Sequence, residues 1–483
     1  MIAALFLASV ASLAQGFDEW SAKFVDKDAR VRRDAVIGLA KLDELRAWEK
    51  VLAALRDPKP EVADEAQLQL GSLAGATELA LLYGKDALGG KDEFVRLRAA
   101  EALGRIVEAP DAALVTKALA DKDAAVRRTL CWTIERLDRA GKWNGGAGSE
   151  LADLARKDKD VGVRAAALVA LAEVDPTALT GLASLAADPD AQVRAAYVLA
   201  SRALDADAAH ARAAAAIKDA ALGVRLVGGE SLALARDARG ARLMVEWLES
   251  ERELRGRWRA VELLRELSGL GHRLDPRPWK AWAASLVDGP VPEPRKSERA
   301  DDERSVSFAG LPIRSERVTF LIDLSGSIWQ KRADGRTRKE VVDEELRKAL
   351  ESLPATTRFN VIPYTSAPVP WQKSLVGADK KNVAKALEWF VARKDTGTGD
   401  VWSALMLALA DPEVDTLVVL SDGAPSGGRR WNLGLMRELF AEHNRFRRVE
   451  LDAVLADASG RLAREWEQMC AGSGGRTIAI ELR

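Results

Sequence analysis

The 483-residue chain has almost no net charge, few cysteines and few histidines, and each shortage removes a class of function. Lys and Arg total 72 against 73 Asp and Glu, a formal charge of -1, so there is no overall field to hold nucleic acid. Two cysteines, Cys131 and Cys470, cannot build a disulfide framework, and His210, His272 and His443 are too far apart in sequence to suggest a zinc site. Both cysteines sit in helix-like sequence and read as small buried hydrophobes. Beyond the first residues no segment is long and apolar enough to span a bilayer, so no transmembrane segment is expected. A G-x-x-x-x-G-K-[ST] loop is also missing, which disfavours nucleotide hydrolysis.

With 48% hydrophobic and 30% charged residues the chain can bury enough apolar surface to offset its ordering entropy. The opening run, MIAALFLASVASLAQG, is apolar but too short to cross a membrane, and it closes on the small-x-small pattern Ser12-Leu13-Ala14. This predicts a signal peptide over 1–14, cleaved after Ala14, and export to a periplasmic or extracellular compartment. No Lys or Arg precedes Lys23, so an apolar first helix is the alternative.

The first half repeats. Units begin DKDARVRRDAV at Asp26, DPKPEVADEAQ at Asp57, KDEFVRLRAAE at Lys91, DKDAAVRRTLC at Asp121, DKDVGVRAAAL at Asp158 and DPDAQVRAAYV at Asp188. The anchors Val31, Val62, Val95, Val126, Val163 and Val193 recur at steps of about thirty residues, within the range of stacked arrays. Val31, Ala35, Leu39 and Leu42 match Val95, Ala99, Leu103, Ile106 and Val126, Leu130, Ile134, Leu137, an apolar stripe on one helical face. The Asp that in most units lies five residues before the valine can cap this helix or close the turn before it. Second apolar stretches such as LRAWEKVLAALRD make each unit a helix pair that buries its stripe only against neighbours, an all-α solenoid. The arginine after the anchor (Arg32, Arg96, Arg127, Arg164, Arg194, Arg225) reads as an ion-pair partner for the acidic turn of its own or a neighbouring unit, rather than as a basic ladder for an acidic ligand.

These units resemble HEAT-like repeats of the short D-x-x-x-x-V-R type over 15–270. The resemblance implies a surface presented to a protein partner and says nearly nothing about chemistry. Residues 271–316 then hold Trp279 and Trp282, expected to cap the array, a proline-rich charged linker over 286–304, and a β-ribbon around Gly310 and Pro312.

From Arg317 apolar strands alternate with amphipathic helices, the pattern of an α/β, doubly wound, mainly parallel sheet over 317–483. The strands are VTFLID, RFNVIPYT, a short VPWQKS, TLVVLSD, VELDAVLAD and RTIAIEL. Ligands of such sheets sit at the carboxyl ends of the strands. There the sequence places Asp323-Leu324-Ser325-Gly326-Ser327 and, after a later strand, Ser421-Asp422-Gly423. Carboxylates and hydroxyls alone are hard oxygen donors, suited to magnesium or manganese. The same residue types also suit a helix cap and tight turn, and both roles can coexist.

This half resembles the von Willebrand factor type A domain with a metal-ion-dependent adhesion site (MIDAS). The resemblance implies a divalent metal, Mg most of all with Mn or Ca as alternatives, held by Ser325 and Ser327 directly and by Asp323 and Asp422 directly or through water. It also implies a threonine ligand, for which Thr398 is the candidate. Thr398 stands six residues before Ala404 where the family has five, and strict alignment puts Gly399 in that slot. Lys331, Arg332, Arg429 and Arg430 follow the two metal-bearing turns and are candidates for a rim that meets an acidic ligand. The expected function is non-catalytic adhesion or scaffolding, with a protein partner contributing an acidic residue to the metal. The alternatives are a metal-independent scaffold and, less favoured, a hydrolase or phosphotransferase using Asp323 or Ser325 as nucleophile. The acid two residues after a phosphorylated aspartate, a G-x-S-x-G turn and a nearby histidine are all missing.

Overall fold

The structure, a computed structural model, describes residues 16–294 and 306–481. The expected signal peptide and much of the proline-rich linker lie outside the described residues. Compactness divides the chain into one unit of Met1–Ala203 with Arg430–Asn432 and a second of Leu204–Arg429 with Leu433–Arg483. This cut differs from the one at the proline-rich linker, because helices beyond Leu204 share a compact unit with the sheet.

In the first unit, helices carrying the anchor valines alternate with shorter helical segments. Ala29–Ala40, Pro60–Leu70, Glu93–Leu103, Ala124–Arg139, Val161–Val174 and Ala191–Ala200 pack each on the next. Val62, Val95, Val126, Val163 and Val193 are buried, as are the stripe residues Leu103, Leu130 and Ile134. Each Asp-x-Asp turn splits its work. The second aspartate caps the helix: Asp123 accepts from Ala125 N and Val126 N, and Asp160 from Val163 N. The first closes the turn, Asp121 accepting from Asp123 N and Asp158 from Asp160 N, both at 2.8–2.9 Å. That first aspartate also receives the arginine of the preceding repeat. Arg32 pairs with Asp57 at 2.7 Å, Arg96 with Asp121 at 2.7 Å, Arg127 with Asp158 at 2.8 Å and Arg164 with Asp188 at 3.1 Å. Each guanidinium also reaches carbonyls of its own turn, as Arg127 does to Asp121 and Lys122. The arginines are therefore internal staples, and their direct hydrogen bonds to buried-side carboxylates make them stronger than solvated surface pairs.

The first unit also holds a buried charged cluster. Asp64, Gln67, Arg98, Glu101 and Arg430 are all nearly inaccessible. Arg430 donates to Gln67 and Glu101 at 2.8 Å, and Arg98 donates to Asp64 at 2.8 Å and Gln67 at 2.9 Å. The second oxygen of Asp64 accepts the backbone N–H groups of Trp431 and Asn432. Burial, with the like charge of Arg430 next in importance, pulls the Arg98 guanidinium down to about 10.

In the second unit a six-stranded sheet runs β3-β2-β1-β4-β5-β6, where β1 is Arg317–Asp323, β2 Arg358–Tyr364, β3 Val376–Gly377, β4 Thr416–Ser421, β5 Glu450–Ala456 and β6 Thr477–Ile480. Pairing is parallel except at the short edge strand β3. Alternate residues of β1 feed two cores, Val318, Phe320 and Ile322 on one face and Leu321 on the other. Helices Arg338–Ser352 and Lys380–Val391 cover the first face, and Val401–Leu409, Leu433–Asn444 and Gly460–Ala471 the second. The expected ribbon forms as Ser307–Phe308 against Leu311–Pro312. The expected VPWQKS strand does not: Pro368 and Pro370 remove two backbone donors, and Val376–Gly377 makes the edge instead.

Helix Leu254–Ser268 belongs to this second unit and meets the amino ends of the strands. Arg255 lies 2.7 Å from Glu450, both 2% exposed or less, although the two groups are not aligned as a hydrogen bond. Arg314 pairs with Glu262 at 3.1 Å and Arg317 with Glu253 at 2.6 Å. Burial pushes the Glu450 and Asp452 carboxyls up, and Arg255 and Arg476 pull the other way. This ion network sits at the opposite end of the strands from Asp323.

Candidate functional site

Strand β1 ends in the apolar run Phe320-Leu321-Ile322 followed by Asp323, which lies at the carboxyl edge only 4% exposed. The chain then turns through Leu324, whose N–H donates to Tyr364 O at 2.9 Å, into a single 3-10 turn, Gly326–Trp329. Asp323 accepts Ser325 N at 2.8 Å and Ser421 Oγ at 3.3 Å. The Ser325 and Ser327 hydroxyls lie 3.3 Å apart, and Ser327 Oγ donates to Asp422. Four of the five expected ligands, Asp323, Ser325, Ser327 and Asp422, thus converge although 95 residues separate Ser327 from Asp422.

Burial raises the Asp323 carboxyl to about 6. Hydrogen bonds from Ser325 oppose the shift, and the nearby Asp422 charge adds to it. The Tyr364 phenol is pushed upward by burial first and by Asp323 next. Its hydroxyl is buried without a hydrogen-bond partner among the described residues, beside Asp323 and Ser421. Two carboxylates and two serine hydroxyls, with no neutralising cation in hydrogen-bond contact among the described residues, form an anionic, hard-oxygen cradle. That donor set fits magnesium or manganese better than a soft or imidazole-seeking metal. Among the described residues no group of three or more His, Cys, Asp or Glu side chains is arranged to hold a metal.

Thr398 is placed differently. Its hydroxyl lies 3.1 Å from Ser366 Oγ, and its backbone N–H also donates to Ser366 at 3.3 Å. Gly399 faces the carboxylate instead: a Cβ there would stand 3.5 Å from Asp323 Oδ2 and 3.6 Å from Ser426 Oγ. Loop 395–400 is tied to the site by Gly326 N to Gly397 O at 3.2 Å and by Trp329 Nε1 to Asp395 O at 3.1 Å. Asp400 caps helix Val401–Leu409 through Ser403 N.

Of the expected basic rim, Arg332 pairs loosely with Asp334 at 3.6 Å and Lys331 is exposed. Arg430 is not a rim residue, because it is buried among Gln67, Arg98 and Glu101 of the first unit. Residues that sequence reasoning passed over are Ser421, Tyr364 and Ser426. Ser421 was visible within Ser-Asp-Gly, whereas Tyr364 and Ser426 had no local signal. His443 stacks edge-on with Trp402 at 5.7 Å, and among the described residues no histidine hydrogen-bonds to Ser325. Cys131 and Cys470 are buried and free, as expected. Among the described residues no helix is long and apolar enough to cross a membrane.

No family model matches the chain. It is 30% identical over 130 residues to inter alpha-trypsin inhibitor heavy chain 4 of Mus musculus, covering 24% of this chain and 13% of that protein. It is 24% identical over 166 residues to von Willebrand factor A domain-containing protein 3A of Homo sapiens, covering 34% and 13%. A solved von Willebrand factor type A protein from Catenulispora acidiphila aligns at 18% identity over 35% of this chain and 40% of that one, with a TM-score of 0.29. The chain spans about an eighth of the length of the curated relatives it matches. The von Willebrand factor A relatives match about a third of the chain.

Proposed function

We propose that the protein is a non-catalytic interaction or adhesion protein with two binding surfaces. One is a MIDAS-like site in a von Willebrand factor A domain, where Asp323, Ser325, Ser327 and Asp422 hold a divalent ion, most favourably Mg, and a protein partner supplies an acidic side chain. The other is the face of a HEAT-like solenoid built from the repeated helix pairs. Export fits this reading, with the apolar start as its signal.

The carrying observation is the convergence of those four side chains at the sheet's carboxyl edge, with Ser327 hydrogen-bonded to Asp422. A bound divalent ion would supply an electrophilic acceptor for a carboxylate, and with few charged ligands it would be held only modestly by the protein alone. The chain's own part is to present the hydroxyls through the 3-10 turn and to hold Asp323 by Ser325 N and Ser421. Among the described residues neither Ser325 nor Asp323 has a histidine as a hydrogen-bond partner, so the site holds no Ser-His pair.

The test is Mn2+ titration of the whole chain, followed by addition of a glutamate-containing peptide. Bound Mn2+ should relax water protons, and the peptide carboxylate should lower that relaxivity by displacing a water. Asp323→Ala should remove both signals. Equal Mn2+ binding by wild type and Asp323→Ala would refute the site and leave the metal-independent scaffold, which the placement of Thr398 favours, as the reading.

A further inference from the structure

The loop after Asp422 comes back over the segment that contains Gly399. Gly399 N donates to Ser426 Oγ at 2.8 Å, and Ser426 N donates to Gly399 O at 3.2 Å, so two reciprocal bonds fix the two residues face to face. The approach depends on the glycines that follow. A Cβ at Gly427 would fall 2.1 Å from Thr398 Oγ1, and one at Gly428, whose φ is +85°, would fall 2.1 Å from the Asp400 carboxylate. Only a chain without side chains at both positions packs this closely over 398–400. In this packing the Thr398 hydroxyl donates to Ser366 Oγ at 3.1 Å.

Gly399 thereby puts no side chain beside Asp323, and the position a Cβ would take there lies within 3.5 Å of Asp323 Oδ2 and 3.6 Å of Ser426 Oγ. Ser426 Oγ uses one lone pair to accept Gly399 N–H. Its second lone pair remains for a cation. We propose that Ser426 is a ligand of the divalent ion, directly or through one water, and replaces the threonine that the loop no longer delivers. The inference rests on the metal site proposed above and adds a residue to it. The hydroxyl comes from the same loop as Asp422.

Mn2+ affinity of the whole chain, read from the free-ion paramagnetic resonance signal, tests this. Ser426→Ala should weaken binding by about tenfold or more, the scale of losing one ligand or its support. Thr398→Ala should leave it unchanged. Gly399→Thr in the Ser426→Ala background should restore affinity, since a Cβ there meets only ordinary contacts of 3.5–3.8 Å, the glycine does not have a positive φ, and Ser426→Ala removes the hydroxyl that stands 3.6 Å from that Cβ. Wild-type affinity in Ser426→Ala, or a loss in Thr398→Ala as large as that in Ser426→Ala, would overturn the assignment. Asp323→Asn separates the two ideas: if it abolishes Mn2+ binding while Ser426→Ala does not, the metal site stands and Ser426 is not its ligand. If Asp323→Asn binds as tightly as wild type, the site itself falls and this assignment with it.

Discussion

The buried charge of Asp323 is costly to the fold, and replacing the residue by its isostere measures that cost. In the folded chain its carboxyl titrates at about 6 against an ordinary 3.8, chiefly because it is buried, and Asp422 adds to the shift. The folded state therefore keeps a proton that the unfolded state releases between these two values, and stability falls as pH rises through that window. About two pH units at about 1.36 kcal/mol each give about 3 kcal/mol lost by neutral pH. The asparagine of Asp323→Asn would retain an oxygen to accept Ser325 N and gain an amide to donate to Ser421 Oγ, with no charge to desolvate. Asp323→Asn should then be more stable than wild type in chelator at about pH 7.5 by up to about 3 kcal/mol, and equal to it below about pH 4. Urea unfolding followed by tryptophan fluorescence, from about pH 3.5 to about pH 8, reads the difference. Saturating Mg2+ should stabilise wild type and leave Asp323→Asn unchanged. If the Asn variant is less stable than wild type at neutral pH in chelator, the account of Asp323 as a destabilising functional carboxylate is wrong.

Other perturbations follow from the same contacts. Arg127→Ala removes the fork to Asp158 and leaves that carboxylate, 5% exposed, without its cation; urea unfolding should show a loss of about 1–3 kcal/mol, and no measurable loss would make the staples ornamental. Gly423→Ala puts a Cβ 2.6 Å from Leu462 at a φ of +107°, so it should move Asp422 and weaken Mn2+ binding while the helical signal in circular dichroism stays; unchanged binding would count against Asp422 as a ligand. A fragment covering 204–483 should resist heat better than one covering 306–483, because the shorter piece lacks Arg255 beside Glu450 and the Glu262 and Glu253 partners of Arg314 and Arg317; equal melting temperatures would show that the sheet region is independent of those helices.

The helices and strands were legible in the sequence because their causes are local. An apolar residue every three or four positions makes a stripe, alternation or an apolar run ends in Asp323 or Ser421-Asp422, and these periods need no knowledge of distant residues. The convergence of Asp323 with Asp422 was also legible, since parallel strands must bring their carboxyl ends to one edge. What a side chain does at that edge depends on packing between segments far apart in the chain, and there the sequence was silent. It offered two uses for the first aspartate of each repeat, and in the folded chain that residue closes the turn while the second aspartate caps the helix. It left Thr398 and Gly399 as rivals, and the close approach of Gly427 and Gly428 turned the threonine to Ser366 and brought Ser426 to Gly399. It placed Arg430 beside the site by proximity in sequence, whereas a buried charge goes wherever carboxylates and amides can desolvate it together, here Gln67 and Glu101. Periodicity reports which face of an element is buried. The partners that a polar group finds there are fixed only when the chain closes on itself.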